Sequence, residues 1–210
     1  MATLLSASGD AGDFLRVNDL SRHTGWLHPA AVAYANQGVV LFGLLLIGGW
    51  LLARRERSAR TMARALLAPL GVLLAVGLNQ PIVHAVDEPR PYTALPHVLV
   101  LVHRSIDASF PSDHATMAGA VAAGLLLVSW RLGLAAVVAA LLMAFTRVYV
   151  GAHYPVDVVA GLAVGAVVAT ATVLLADGPV SRLVERGRAT RLRPLLSDAP
   201  QADVREPVRA

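Results

Sequence analysis

Long uncharged runs alternate along this chain with short charged ones. Residues 29–53 carry no charge over 25 positions and end at Arg54, Arg55, Arg57, Arg60 and Arg64. A bilayer core takes up about 20 helical residues, and basic clusters mark cytoplasmic ends, so this run predicts a first span that leaves toward the cytoplasm. Residues 65–86 form a second uncharged run, with Asn79, Gln80 and His84 near its far end. Counted strictly between charges, the third and fourth runs are short: 115–130 has 16 residues and 132–146 has 15. Extended to Ser112 and to Val150, each reaches 19 residues, about 28 Å at 1.5 Å per residue and enough to cross. Residues 158–176 supply a fifth span.

The segments outside these runs complete the plan. Residues 13–28 mix Phe14, Leu15, Val17, Leu20 and Trp26 with Asp13, Arg16, Asp19 and Arg22, the loose spacing of an amphipathic helix lying at the interface. Residues 87–111 form the longest polar connection, in which the apolar piece 98–102 is either interfacial or re-entrant. Residues 177–210 hold Arg182, Arg186, Arg188, Arg191 and Arg193 among scattered Pro and Asp, a composition that predicts a basic, largely disordered cytoplasmic tail. The expected fold is all-α: a polytopic membrane bundle of about five transmembrane helices plus the N-terminal interfacial helix. Its parts are 1–28, the membrane domain 29–176, and the tail 177–210. Five spans with this charge asymmetry put the N-terminus outside and the C-terminus in the cytoplasm of a plasma-membrane protein.

Composition agrees with that plan and narrows the chemistry. The chain is 56% hydrophobic and 15% charged, with mean hydropathy +0.59, whereas soluble domains carry roughly a quarter charged residues. There is no cysteine, which excludes disulfides, thiolate metal sites and cysteine nucleophiles. All 18 basic residues are arginine, which excludes Schiff-base chemistry and a lysine ligand for phosphate. The net charge of +4 is concentrated beside the spans, where it reports orientation and not a nucleic-acid partner.

Three polar segments are expected to meet at the outer face, bringing Arg90, then Ser112, Asp113 and His114, then Arg147, His153 and Asp157. Arginine forks match phosphate oxygens, and two of them suit a phosphoryl group whose charge redistributes. Ser112 follows Pro111 and opens a predicted helix, where its hydroxyl caps free amides while those amides point at an anion. His153 and Asp157 are four apart with Pro155 between them, so the carboxylate reaches back to one imidazole nitrogen. That contact fixes the tautomer and leaves the other nitrogen to attack phosphorus. His114 then supplies the proton that the leaving oxygen needs. Asp113 is counted with the phosphate-binding residues; a bond to backbone amides, tuning of His114, or a solvated helix-start carboxylate are its alternatives. No cofactor is expected, and no metal, since three histidines or a compact carboxylate cluster are lacking.

These residues resemble the type 2 phosphatidic acid phosphatase superfamily, whose three motifs correspond to residues 83–91, 111–114 and 146–157. The resemblance implies a phosphohistidine mechanism with His153 as nucleophile, Asp157 orienting it, His114 as acid, and Arg90, Ser112 and Arg147 on the phosphate. The stretches FPSDHAT (110–116) and RVYVGAHYPVD (147–157) look most like the bacterial undecaprenyl-diphosphatases of this superfamily, which implies a polyprenyl diphosphate substrate. Two positions depart from the pattern. Val83 stands where the family has lysine, with His84, His103 and Arg104 as candidate replacements, and Thr146 stands where it has serine. His23, His28, His84, His97 and His103 lack comparable partners and are read as interfacial or loop residues outside the site. Phosphatidate or phosphatidylglycerophosphate hydrolysis is the alternative within this chemistry; a catalytically weak lipid-phosphate binder or transporter is the alternative outside it.

Overall fold

The helix at the centre of the bundle is its shortest long one. The computed structural model describes residues 2–56 and 58–197, so Arg57 of the first basic cluster and positions 198–210 of the expected tail lie outside the described residues. Within them the chain is helical, without a strand: α1 (Ala2–His23), α2 (His28–Arg55), α3 (Ala59–Val86), α4 (Pro91–Ala94), α5 (Asp113–Val128), α6 (Trp130–Tyr149), α7 (Pro155–Arg188) and α8 (Arg193–Leu196), with one 3₁₀ turn at Gly25–Leu27. Four stretches are long and apolar enough to cross a membrane: Gly25–Arg55, Ala59–Ala94, Trp130–Tyr149 and Pro155–Arg188. The fifth expected span, α5, has only 16 residues, about 24 Å at 1.5 Å per residue.

The expected 112–130 span is shortened because Ser129 takes up an extended conformation and turns the chain straight into α6. Gly133 makes that one-residue turn possible, since a Cβ there would lie 2.5 Å from the Cα of Leu126. Helix α5 packs against α7, α3 and α6 and buries nine of its 16 residues, almost all of them Ala, Gly, Thr or Val. Lipid tails are as apolar as leucine, so helices in a membrane associate through close backbone packing rather than through a hydrophobic drive. Glycines supply that approach between α5 and α7: a methyl on Gly161 would lie 2.6 Å from the carbonyl oxygen of Ser112, and one on Gly165 would fall on the Thr116 carbonyl. Gly165→Val is therefore expected to lower the melting temperature of the detergent-solubilised protein by about 3–10 °C, the effect of roughly 1–3 kcal/mol of overpacking. Gly77→Val, at a site with nothing within 4 Å of the added carbon, should melt close to the parent in the same scan.

At the end of the bundle marked by the arginine cluster, α7 runs on to Arg188 instead of stopping at Ala176. Asp177, expected to begin the tail, is 7% exposed and accepts from Arg64 Nε and Nη2 at 3.3 and 3.1 Å, with Arg60 Nε also 3.3 Å away. Arg64 Nη1 donates to the Leu127 carbonyl at 3.1 Å. One side chain thus joins the start of α3, the end of α5 and the middle of α7. The paired carboxylate lets the helix continue, and 177–197 are ordered against the bundle, with Trp50 Nε1 donating to the Leu195 carbonyl at 3.1 Å.

At the other end, α1 docks on protein. Phe14 is fully buried and meets the Tyr154 ring edge-on at 5.6 Å, while Leu15 and Leu20 on the opposite side remain exposed. Asn18, 2% exposed, donates Nδ2 to the Leu99 carbonyl at 2.8 Å and accepts the Leu99 amide at 3.0 Å. The 98–102 piece is accordingly not helical. It is an extended strap, held by α1 on one side and by Leu101 N donating to the Val150 carbonyl at 3.0 Å on the other.

Candidate active site

Helix α3 ends at Val86, α5 begins at Asp113, and α6 and α7 meet at 150–154. The ends of these elements surround a cavity of about 520 Å³ lined by Arg90, Asp113, His114, Arg147 and His153, with Gln80, Val83, His84 and His103 on the α3 side. The three segments expected to converge do so, and both catalytic histidine candidates open into one space.

The turn that presents His153 depends on Gly151. Its φ of +81° lies in the left-handed region, and the Leu99 carbonyl occupies the place where a Cβ would stand, so both conformation and space exclude a side chain there. The chain folds back on the end of α6, with Ala152 N donating to the Arg147 carbonyl at 3.1 Å. Arg147 and His153 therefore flank a single turn.

The partners of His153 define its tautomer. Nδ1 lies 2.9 Å from the Ser109 carbonyl, which can only accept. Nε2 lies 3.1 Å from Arg90 Nη1, which can only donate. The neutral ring thus carries its proton on Nδ1 and a lone pair on Nε2 facing the arginine. The four-residue spacing predicts that Asp157 makes the first of these contacts directly. Its Oδ2 lies 3.5 Å from Nδ1, within ion-pair reach, while the shorter Nδ1 contact goes to the Ser109 carbonyl; the same Oδ2 accepts from the Ser109 hydroxyl and from the Tyr154 amide at 2.8 Å. Ser109, a residue that no sequence motif singles out, touches both His153 and Asp157. The carboxylate is fully buried, and its backbone carbonyl also takes the Ser112 amide at 3.1 Å. Burial holds the His153 pKa below the ordinary imidazole value; Asp157 opposes that shift, and the Arg147 and Arg90 charges reinforce it.

The phosphate-binding candidates divide. Arg147 is 8% exposed and lines the cavity, and its Nε has no hydrogen-bond partner among the described residues. Arg90 spends Nη1 on His153 and on the Ala152 carbonyl at 3.1 Å, and Nε on the Asp107 carbonyl at 2.8 Å. Ser112 is the N-cap of α5, yet its buried hydroxyl makes no capping bond and is unpartnered among the described residues. The expected cap is absent, which leaves the hydroxyl uncommitted, although Ser112 is fully buried and its neighbours Pro111, Asp113 and His114, not Ser112 itself, line the cavity. Asp113 lines the cavity, but its Oδ1 accepts from Asn79 Nδ2 at 2.7 Å and from Gln80 Nε2 at 2.9 Å. A carboxylate repels phosphate, so this clamp, which fixes the start of α5 to the end of α3, replaces phosphate binding as its evident use. Asn79 and Gln80 carry no sequence signal for that part beyond being amides near a helix end.

This geometry can hold a tetrahedral anion between arginines, place an unprotonated imidazole nitrogen against it, and bring a second imidazole to the same space. Comparison with known proteins agrees. Residues 64–178 match the PAP2 superfamily. The undecaprenyl-diphosphatase BcrC of Bacillus subtilis is 32% identical over 74% of this chain and 78% of its own length. A lipid A 1-phosphatase of Rhizobium johnstonii is 52% identical over a shorter stretch, 28% of this chain and 24% of that protein. Among solved structures, the first transmembrane PAP2 type phosphatidylglycerolphosphate phosphatase from Bacillus subtilis superposes with a TM-score of 0.59 over 90% of each chain, at 22% identity, a likeness of fold.

Proposed function

Because the chain belongs to the PAP2 superfamily of membrane phosphatases, we propose that it hydrolyses a polyprenyl diphosphate of undecaprenyl type to the monophosphate, through a phosphohistidine on His153. The observation that carries this reading is the state of His153: Nδ1 is committed to the Ser109 carbonyl and the Nε2 lone pair meets Arg90 at the cavity wall. Nε2 attacks the terminal phosphorus, and the bond from phosphorus to the bridging oxygen breaks. His114 delivers its proton to that oxygen, and the prenyl monophosphate leaves. His114 then takes a proton from water, which attacks the phosphohistidine and releases inorganic phosphate. Arg147 and Arg90 neutralise the equatorial oxygens, Arg90 by exchanging His153 for phosphate, and the Ser112 hydroxyl and the first amides of α5 add donors. Asp157, 3.5 Å from Nδ1, steadies the cationic ring of the intermediate, together with Ser109.

The arginines support one sidedness. Arg54, Arg55, Arg60, Arg64 and Arg131 lie at the helix ends opposite the cavity, which supports an extracytoplasmic site and a cytoplasmic C-terminus. The 32% identity to an undecaprenyl-diphosphatase supports the substrate class. The test is phosphate release by the purified protein from undecaprenyl diphosphate, phosphatidate and phosphatidylglycerophosphate, with a chelator present. The first should be turned over fastest and without metal. A preference for either glycerolipid overturns the substrate, abolition by the chelator overturns the mechanism, and no release from any of the three favours a lipid-phosphate binder, the reading suggested by Val83.

Activity should also titrate with His153. The nucleophile must be neutral, and its pKa is held down by burial, so the acid limb of the kcat/KM profile lies below about 6.5, the usual imidazole value, while the alkaline limb belongs to the acid, His114. Asp157 raises this pKa, so Asp157→Asn should move the acid limb of the pH profile to still lower pH. A limb that moves upward in that variant would contradict the assignment.

A further inference from the structure

The cavity is larger than one phosphate requires. A phosphate has four oxygens, about 120 Å³ at ~30 Å³ for each water-sized atom, against about 520 Å³ here. The groups assigned to the reacting phosphate, Arg90, Arg147, His114 and His153, are part of its lining. The end of α3 and the connection that follows it add Gln80, Val83 and His84, with His103. Val83 is 7% exposed and lines the cavity, so α3 offers an apolar surface at the position of the family's lysine. Arg104 does not line the cavity; its guanidinium lies over the ring of Tyr92, which does, at 5.5 Å.

Three carboxylates also line the space, and they bear on which groups meet an anion. Asp113 Oδ1 is held by Asn79 and Gln80. Asp107 Oδ2 accepts from the Ser105 hydroxyl at 2.6 Å. Asp87 caps the end of α3 with φ +47°. His84 and His103 differ from these: both are exposed to the cavity, and neither ring has a hydrogen-bond partner among the described residues. Each presents an N–H donor in any protonation state.

We propose that His84 and His103 form an outer anion subsite that holds the inner, lipid-linked phosphate of a diphosphate while the terminal phosphate sits at His153. The placement rests on the phosphohistidine reading above. In this arrangement two imidazoles do the work that a lysine would do, and they do it one phosphate further out. The consequence is selectivity: a lipid monophosphate fills only the position at His153 and gains nothing from the pair.

The test uses the full-length protein in detergent, with inorganic pyrophosphate and inorganic phosphate as probes in calorimetric titrations. Pyrophosphate is expected to bind about tenfold or more tightly than phosphate. The His84→Ala/His103→Ala double variant should lose that advantage while its phosphate affinity stays within about twofold, with a thermal melt confirming that it folds. Turnover should follow, with kcat/KM falling for the polyprenyl diphosphate and holding for the monophosphate. A double variant that keeps the pyrophosphate preference, or in which both anions weaken in parallel, overturns the subsite. If the parent shows the preference and the variant loses it, but neither releases phosphate from lipid, the subsite stands and the hydrolase reading fails.

Discussion

Replacing His153 with alanine is expected to lower phosphate release from polyprenyl diphosphate by on the order of 10⁴-fold or more. The ring is 3% exposed and sits between an acceptor on Nδ1 and a donor on Nε2, so no neighbouring group is placed to take over the attack. Substrate binding should change far less, because Arg147 and the amides of α5 remain. The measurement is kcat and KM with purified protein, and the signature is a collapse of kcat with KM within a few-fold. A His153→Ala variant retaining a tenth of the parent activity would show that the nucleophile lies elsewhere. Loss of binding in step with turnover would give His153 a binding role alone.

The second large effect separates substrates instead of abolishing them. If His114 protonates the leaving oxygen, its value depends on how badly that oxygen needs a proton. The leaving group from a prenyl diphosphate is a phosphate monoester, a good leaving group; from phosphatidate it is an alkoxide, a poor one. General acids contribute about 10²–10⁴-fold, so His114→Ala should cost near the lower figure on the diphosphate and near the upper figure on a lipid monophosphate. The two losses, compared as ratios of kcat/KM, are predicted to differ by at least tenfold. Equal losses on both substrates would mean that His114 stabilises the phosphoryl group and does not donate the proton.

Much of this architecture is legible in the amino-acid sequence, because bilayer thickness imposes itself on hydropathy. Helices α2, α3, α6 and α7 appear as uncharged runs, and the family motifs bring Arg90, His114, Arg147 and His153 to one cavity. What escapes the sequence is set by contacts distant along the chain. Asp177 looks like the start of a tail until Arg64 reaches it across 113 residues, after which α7 has no reason to stop. Ser129 ends α5 because Gly133 lets α6 begin on the backbone of Leu126, and no hydropathy window registers a one-residue turn. Ser109 has neither periodicity nor motif to single it out, yet it stands between His153 and Asp157, 44 and 48 residues away. Asn18 is one amide in an amphipathic helix, and its importance lies in a strap 81 residues distant. Asp113 invites a phosphate-binding role by its place beside Ser112 and His114, whereas its partners, Asn79 and Gln80, belong to another helix.

The covalent step is the centre of the account, and it can be caught. The purified protein, mixed with polyprenyl diphosphate and quenched in base within milliseconds, should carry a phosphoryl group on His153 by mass spectrometry of its peptides. The group should be absent from His153→Ala and should disappear as substrate is exhausted. Steady phosphate release with His153 unmodified at every time point, or with the phosphoryl group on another side chain, would contradict it.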